Sequence, residues 1–208
     1  MFSTAGATYG CKHKSRVLEA QLGDCERHRF WVGSASPREE NEIQLIEFNE
    51  EMQESVLCVQ VYSHPSEVFS LAPCPREASL FFTSSTSGAA TLWRAPGATD
   101  AADLDSSALP TPAALEPVAT VAERGACSVL WQPLDAAPER VATLRDSLRV
   151  YDVGGSALTE ACAVAVVLDG ADPGGSLASS PPPITSGAWD PHQSTTIGCA
   201  LVTRPLHM

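Results

Sequence analysis

The chain has 208 residues, 44% of them apolar and 18% charged, with a formal charge of −12. That is enough apolar material for a real core in one or two domains. The acidic balance excludes nucleic acid as a partner, because neutralising phosphates takes clustered Lys and Arg. No apolar run reaches the roughly 18–20 residues of a membrane span, and residues 1–9 lack the basic-then-apolar order of a secretory leader. The cysteines at 11, 25, 58, 74, 127, 162 and 199 are scattered and form no C-x-x-C. Neither a disulfide framework nor a zinc site is written here, and the reducing cytoplasm is the expected compartment.

Short runs rich in Val, Ile, Leu, Phe, Trp and Thr, punctuated by Pro and Gly, predict an all-β fold. In chain order the predicted strands are 29–34, 42–48, 56–61, 67–72, 79–84, 89–94, 115–121, 126–131, 140–144, 148–153, 162–168, 184–189 and 195–201. Residues 50–55 form a polar, helix-like window too short to matter. Two low-complexity stretches, 95–114 and 170–183, are dominated by Ala, Pro, Asp, Ser, Thr and Gly. They cannot bury enough surface to offset backbone ordering and are expected as surface loops within one region, 1–208.

Repeats carry most of the information. A strand runs into a proline turn at Leu71-Ala72-Pro73, Leu130-Trp131-Gln132-Pro133 and Trp189-Asp190-Pro191, and Trp131 precedes Trp189 by 58 residues. Further on, a turn residue precedes a bulky–polar pair by five positions at Asn41…Ile46-Glu47, Gly88…Trp93-Arg94 and Asp146…Tyr151-Asp152, and Trp93 again precedes Tyr151 by 58. Two unrelated markers sharing one offset, with four predicted strands per unit, give the layout of a β-propeller blade of WD40 type. Asp146, Tyr151 and Asp152 make the best copy of the signature. Asp146 is expected to cap the turn between the second and third strands. Trp93, Tyr151, Trp131 and Trp189 are expected to pack between blades.

No catalytic constellation is present. Gly-x-Ser-x-Gly, a P-loop, H-E-x-x-H and G-x-G-x-x-G are all absent, and no cofactor is implied. The five histidines have no partner at a ligand spacing, and His64 fits a structural position in a blade connection. Glu39, Glu40, Glu42, Glu47, Glu50, Glu51 and Glu54 form an acidic stretch that reads as a solvated face rather than a glycosidase pair, and such a face attracts a basic partner.

Several segments taken together resemble a known family. These are Tyr9-Gly10, Ser15-Arg16-Val17-Leu18, Arg29-Phe30-Trp31-Val32-Gly33, Asn41-Glu42-Ile43-Gln44-Leu45-Ile46-Glu47-Phe48 and Glu67-Val68-Phe69-Ser70-Leu71-Ala72-Pro73, followed by Ala90-Thr91-Leu92-Trp93-Arg94, Ala126-Cys127-Ser128-Val129-Leu130-Trp131-Gln132-Pro133 and Thr185-Ser186-Gly187-Ala188-Trp189-Asp190-Pro191-His192. In order and spacing they are similar to the EARP- and GARP-complex-interacting WD-repeat family. The resemblance implies a seven-bladed propeller acting without catalysis as an adaptor for vesicle-tethering complexes in endosomal recycling and retrograde traffic. Such a protein is cytoplasmic and peripheral at endosomes and the trans-Golgi network. The sequence departs from the family pattern after 195–201, where the expected third strand and W-D pair are missing. About three blades of an incomplete propeller are therefore expected. A WD40 adaptor of another pathway, such as a ubiquitin-ligase substrate receptor, shares the architecture, since fold does not imply function.

Overall fold

The computed structural model describes residues 8–49, 55–97, 110–123, 125, 127–133, 137–165 and 184–201. Every helix or strand among them is a strand, and the strands sort into four sheets. Sheet 1 is an antiparallel meander of β1 (Ser15–Ala20), β2 (His28–Ser34), β3 (Asn41–Asn49) and β4 (Ser55–His64), with β8 (Ala113–Ala114) added in parallel at its outer edge. Sheet 2 is β5 (Val68–Pro73), β6 (Leu80–Ser85), β7 (Ala89–Arg94) and β9 (Glu116–Ala122). Sheet 3 is β10 (Ser128–Trp131), β11 (Arg140–Leu144), β12 (Ser147–Gly154) and β13 (Ala157–Ala165). A hairpin of β14 (Ile184–Trp189) and β15 (Ile197–Leu201) forms the fourth. The first strands neighbour one another in series, β1 beside β5, β5 beside β10, and β10 beside β14. Successive meanders set side by side through their innermost strands are propeller blades.

Face-to-face stacking explains the sequence pattern. A sheet with neighbours on both sides buries both faces, so its middle strands read as unbroken apolar or small-residue runs rather than alternating ones. All six residues of β6 are buried. Phe81 points into the core shared with sheet 1, among Trp31, Leu45 and Tyr62, whereas Phe82 joins Val129, Trp131 and Tyr151 between sheets 2 and 3. A third, smaller core of Ala142, Val150 and Trp189 joins sheet 3 to the hairpin. At about 1.5–3 kcal/mol for each large side chain buried, these seams supply most of the cohesion between sheets.

One backbone bond recurs in all four sheets and fixes their equivalence. It closes the turn between first and second strands at Gln21 N–H to Arg29 O (2.9 Å), Cys74 to Leu80 (2.9 Å), Gln132 to Arg140 (3.0 Å) and Asp190 to Thr196 (2.9 Å). The residue following each donor is Leu22, Pro75, Pro133 or Pro191. Pro75, not Pro73, is therefore the counterpart of Pro133 and Pro191. Pro73 lies two positions earlier, inside β5, paired with Phe81.

Other elements also differ from expectation. β1 is an additional strand, and Val17 is its one buried residue. β13 begins at Ala157, five residues before the expected start. The stretch 95–114 contributes β8, hooked to β4 by Tyr62 Oη–H donating to Pro96 O (2.8 Å) and Gln60 Nε2–H donating to Thr111 O (3.2 Å). Residues 98–109, 170–183, 50–54 and 166–168 lie outside the described residues.

Candidate docking surface and the seams that hold it

The bulky–polar pairs occupy one ladder position in three sheets. Glu47 on β3 faces Arg29 on β2, and Asp152 on β12 faces Arg140 on β11. Each pair is bonded, Arg29 Nε–H to Glu47 Oε2 at 2.7 Å and Arg140 Nε–H to Asp152 Oδ1 at 2.9 Å. Sheet 2 inverts the polarity, with Arg94 on the third strand reaching Glu77 in the preceding turn. The first pair is buried and the second is partly solvated, with side-chain exposures of 7% and 12% against 29% and 35%.

The bulky residues sit one position earlier, and two of them, Trp93 and Tyr151, anchor polar chains that cross the seams. Trp93 donates Nε1–H to Thr83 Oγ1 (2.8 Å), Thr83 lies 3.2 Å from His64 Nε2, and His64 Nδ1 lies 2.6 Å from Ser66 O. A carbonyl can only accept, so the proton sits on Nδ1 and Nε2 accepts from the threonine. The chain is satisfied with His64 neutral. Tyr151 and Thr143 repeat the arrangement one sheet on, donating to Glu123 Oε1 at 3.2 and 2.7 Å, so a carboxylate stands where the Trp93–Thr83 chain has the imidazole of His64. Burial and the Glu123 charge push the Tyr151 phenol up. In sheet 1 the same positions hold Val32 and Ile46, both buried, with no polar chain to complete.

Burial holds His64 below the ordinary imidazole range. The unfolded chain therefore binds the proton more readily than the folded one. This contribution to stability is present above about pH 6.5 and is lost as pH falls below that toward the depressed folded value. His64→Gln is expected to reduce the fall in urea midpoint between pH 7.5 and 5.5. An unchanged pH slope in the variant would assign the acid sensitivity to other groups.

Beside the recurring turn bond, a second series of contacts ties each sheet to the next. Gln21 Nε2–H donates to Ala78 O (2.8 Å), Cys74 Sγ–H to Glu139 Oε1 (3.2 Å) and Gln132 Nε2–H to Ser194 O (2.7 Å). The three donors are the residues of the recurring turn bond, and each reaches the first turn of the following sheet. Gly23 lies so close to that turn that a Cβ would stand 2.3 Å from Ala78 N. Sequence reading missed this series because the side chains are Gln, Cys and Gln. The turn following each donor was its one sequence signal.

The remaining candidate residues are placed as follows. Trp131 donates Nε1–H to Glu139 Oε1 (2.9 Å). Trp189 lies in the third core with its Nε1 unpartnered among the described residues. Asp146 lies in the turn between β11 and β12, 3.7 Å from Arg145 Nε. All seven cysteines are free thiols, and burial pushes Cys74 up to about 11 and Cys127 to about 12, which makes both unreactive. Among the described residues no group of three or more His, Cys, Asp or Glu could hold a metal ion, and no helix is long and apolar enough to cross a membrane.

The acidic stretch is split. Glu47 is committed to Arg29, and Glu50, Glu51 and Glu54 lie outside the described residues. Glu39, Glu40 and Glu42 line a cleft of about 430 Å³ together with Lys12 and His13, and His13 Nδ1 lies 2.5 Å from Glu39 Oε2. Glu39 stays largely exposed. This carboxylate-lined cleft, on the turn end of sheet 1, is the candidate docking surface.

Residues 3–204 match the family model described as the EIPR1 beta-propeller. The chain belongs to that family. Among curated relatives, an EARP-interacting protein homolog of Dictyostelium discoideum is 42% identical over 75 residues, covering 36% of this chain and 18% of the relative. The homolog of Gekko japonicus is 26% identical over 211 residues and the human EARP and GARP complex-interacting protein 1 is 24% identical over 209. Each of these two alignments takes in 94% of this chain and 51% of the relative. The chain spans about half the length of these longer-aligned relatives. Membership of the EIPR1 beta-propeller family accords with the stacked meanders and their repeated turn bond.

Proposed function

We propose that the chain is a non-enzymatic propeller adaptor for subunits of the EARP and GARP tethering complexes. It would act in endosomal recycling and retrograde traffic to the trans-Golgi network, from the cytoplasm and peripherally on those membranes. The observation that carries this is the collinear likeness over 94% of the chain to proteins named for those complexes. Docking would be by shape and charge, with Glu39, Glu40 and Glu42 steering basic surface toward the propeller. Trp93, Asp146, Tyr151, Asp152, Trp131 and Trp189 would serve by keeping the blades in register rather than by touching a partner.

Purified complexes passed over the immobilised chain test this. Retention of either complex supports the adaptor role, and retention of neither removes it. Replacing Glu39, Glu40 and Glu42 with lysine is expected to slow association about tenfold at low ionic strength, the difference shrinking as salt screens it. Equal association rates at low salt would take the acidic cleft out of the mechanism.

A further inference from the structure

The outermost strands of the three complete sheets are protected unequally. β4 has its edge occupied by β8, through the register Tyr62 to Ala113 and Ser63 to Ala114. β9 carries Pro117, which has no N–H to offer a further strand. β13 has neither device. It is nine residues long, and only Leu158 is less than exposed. Its sequence, ALTEACAVA, has no proline, lysine or arginine and the single charge Glu160. Among the described residues nothing pairs with its outer edge. Long edges without proline or lysine and with little charge are templates for another strand, and Val164, 52% exposed, adds an apolar contact point.

We propose that the β13 edge is a strand-addition site for an extended segment of a partner protein, neutral to basic in charge, with small or β-branched residues at alternate positions. Backbone pairing gives the affinity and alternate side chains the selectivity. The β4–β8 pairing shows that the outer edge of a sheet in this molecule accommodates a fifth strand. Charge selects the occupant. The chain carries −12 overall and the strand's one charge is Glu160. A second copy of the chain or an acidic segment is therefore repelled, whereas lysine opposite Glu160 is attracted.

The probe is a synthetic peptide of about nine residues alternating valine or threonine with lysine, added at saturating concentration to the 208-residue chain. Amide hydrogen exchange is the readout. Exchange is expected to slow about tenfold at alternate positions of β13. The same peptide N-methylated at alternate residues should give no protection, and Glu160→Lys should weaken binding about two- to fivefold. Absence of protection on β13, protection confined to other strands, or binding that survives N-methylation would each overturn the proposal. Concentration-dependent protection of β13 without peptide would make a second copy the occupant and overturn it equally. No tethering subunit enters the experiment, so its outcome and that of the adaptor assay are independent.

Discussion

Replacing Glu47 with alanine is expected to cost about 3–5 kcal/mol of folding stability, as is typical when one partner of a buried ion pair is removed. Arg29 is 7% exposed, and its Nη2 is already buried without a partner among the described residues. Deleting Glu47 leaves the guanidinium charged, desolvated and without its counter-ion. Because a small domain is stable by about 5–15 kcal/mol in all, the variant approaches the unfolding threshold. The equivalent change in sheet 3, Asp152→Ala, is expected to cost no more than about 1 kcal/mol, because that pair is a third exposed and water replaces the lost carboxylate. The double variant Arg29→Met with Glu47→Leu should recover most of the loss, since an apolar pair of similar bulk avoids the desolvation cost. Urea denaturation of the four chains decides the matter. Equal costs for Glu47→Ala and Asp152→Ala would show that burial does not set the value of this ladder position.

Propeller architecture was legible where packing leaves a periodic trace. β6 reads as an apolar run because both faces are buried, and the bulky–polar pairs recur because every third strand presents the same two positions to its neighbours. β1 was not legible. Arg16 and Glu19 on this strand leave Val17 as its one buried side chain, so it carries no run to detect. β8 was hidden for the opposite reason. Two alanines in a Pro- and Thr-rich stretch are a strand only because β4 supplies the partner, and nothing local encodes that.

The polar seams show the same divide. His64 was recognisable as structural because a lone histidine with no ligand spacing has little else to do. Its partners were not recognisable, since Thr83 lies 19 residues away on another sheet. Glu123 in the matching place cannot be inferred from a pattern that expects histidine. It works because an ionised carboxylate accepts from both Thr143 and Tyr151, where the imidazole accepts from Thr83 and donates to Ser66. Register defeated sequence reading at Pro73, because two prolines lie two residues apart and the one inside the strand reads as the turn; the backbone bond from Cys74 to Leu80 puts Pro75 in that place.

Trp93 carries the second large effect. Truncation to alanine is expected to cost about 3–5 kcal/mol through the cavity left between sheets 1 and 2. Separating its bulk from its N–H is more informative. Trp93→Phe keeps much of the packing but withdraws the donor to Thr83, for an expected cost of about 1–2 kcal/mol. Thr83→Val is nearly isosteric, yet it leaves two buried groups without partners, the Trp93 N–H and the His64 Nε2, each worth about 1–3 kcal/mol. Thr83 is 1% exposed and His64 5%, so water cannot substitute. The hydroxyl, although smaller than the indole edge, is therefore expected to cost more when removed than Trp93→Phe does. Sheet 1 supplies the control, because Val32 and Ile46 fill the same positions with no polar group at either, which is the arrangement in which losing both partners is nearly neutral. If thermal denaturation ranks Trp93→Phe as more damaging than Thr83→Val, the seam is held by aromatic packing and the polar chain is incidental to it.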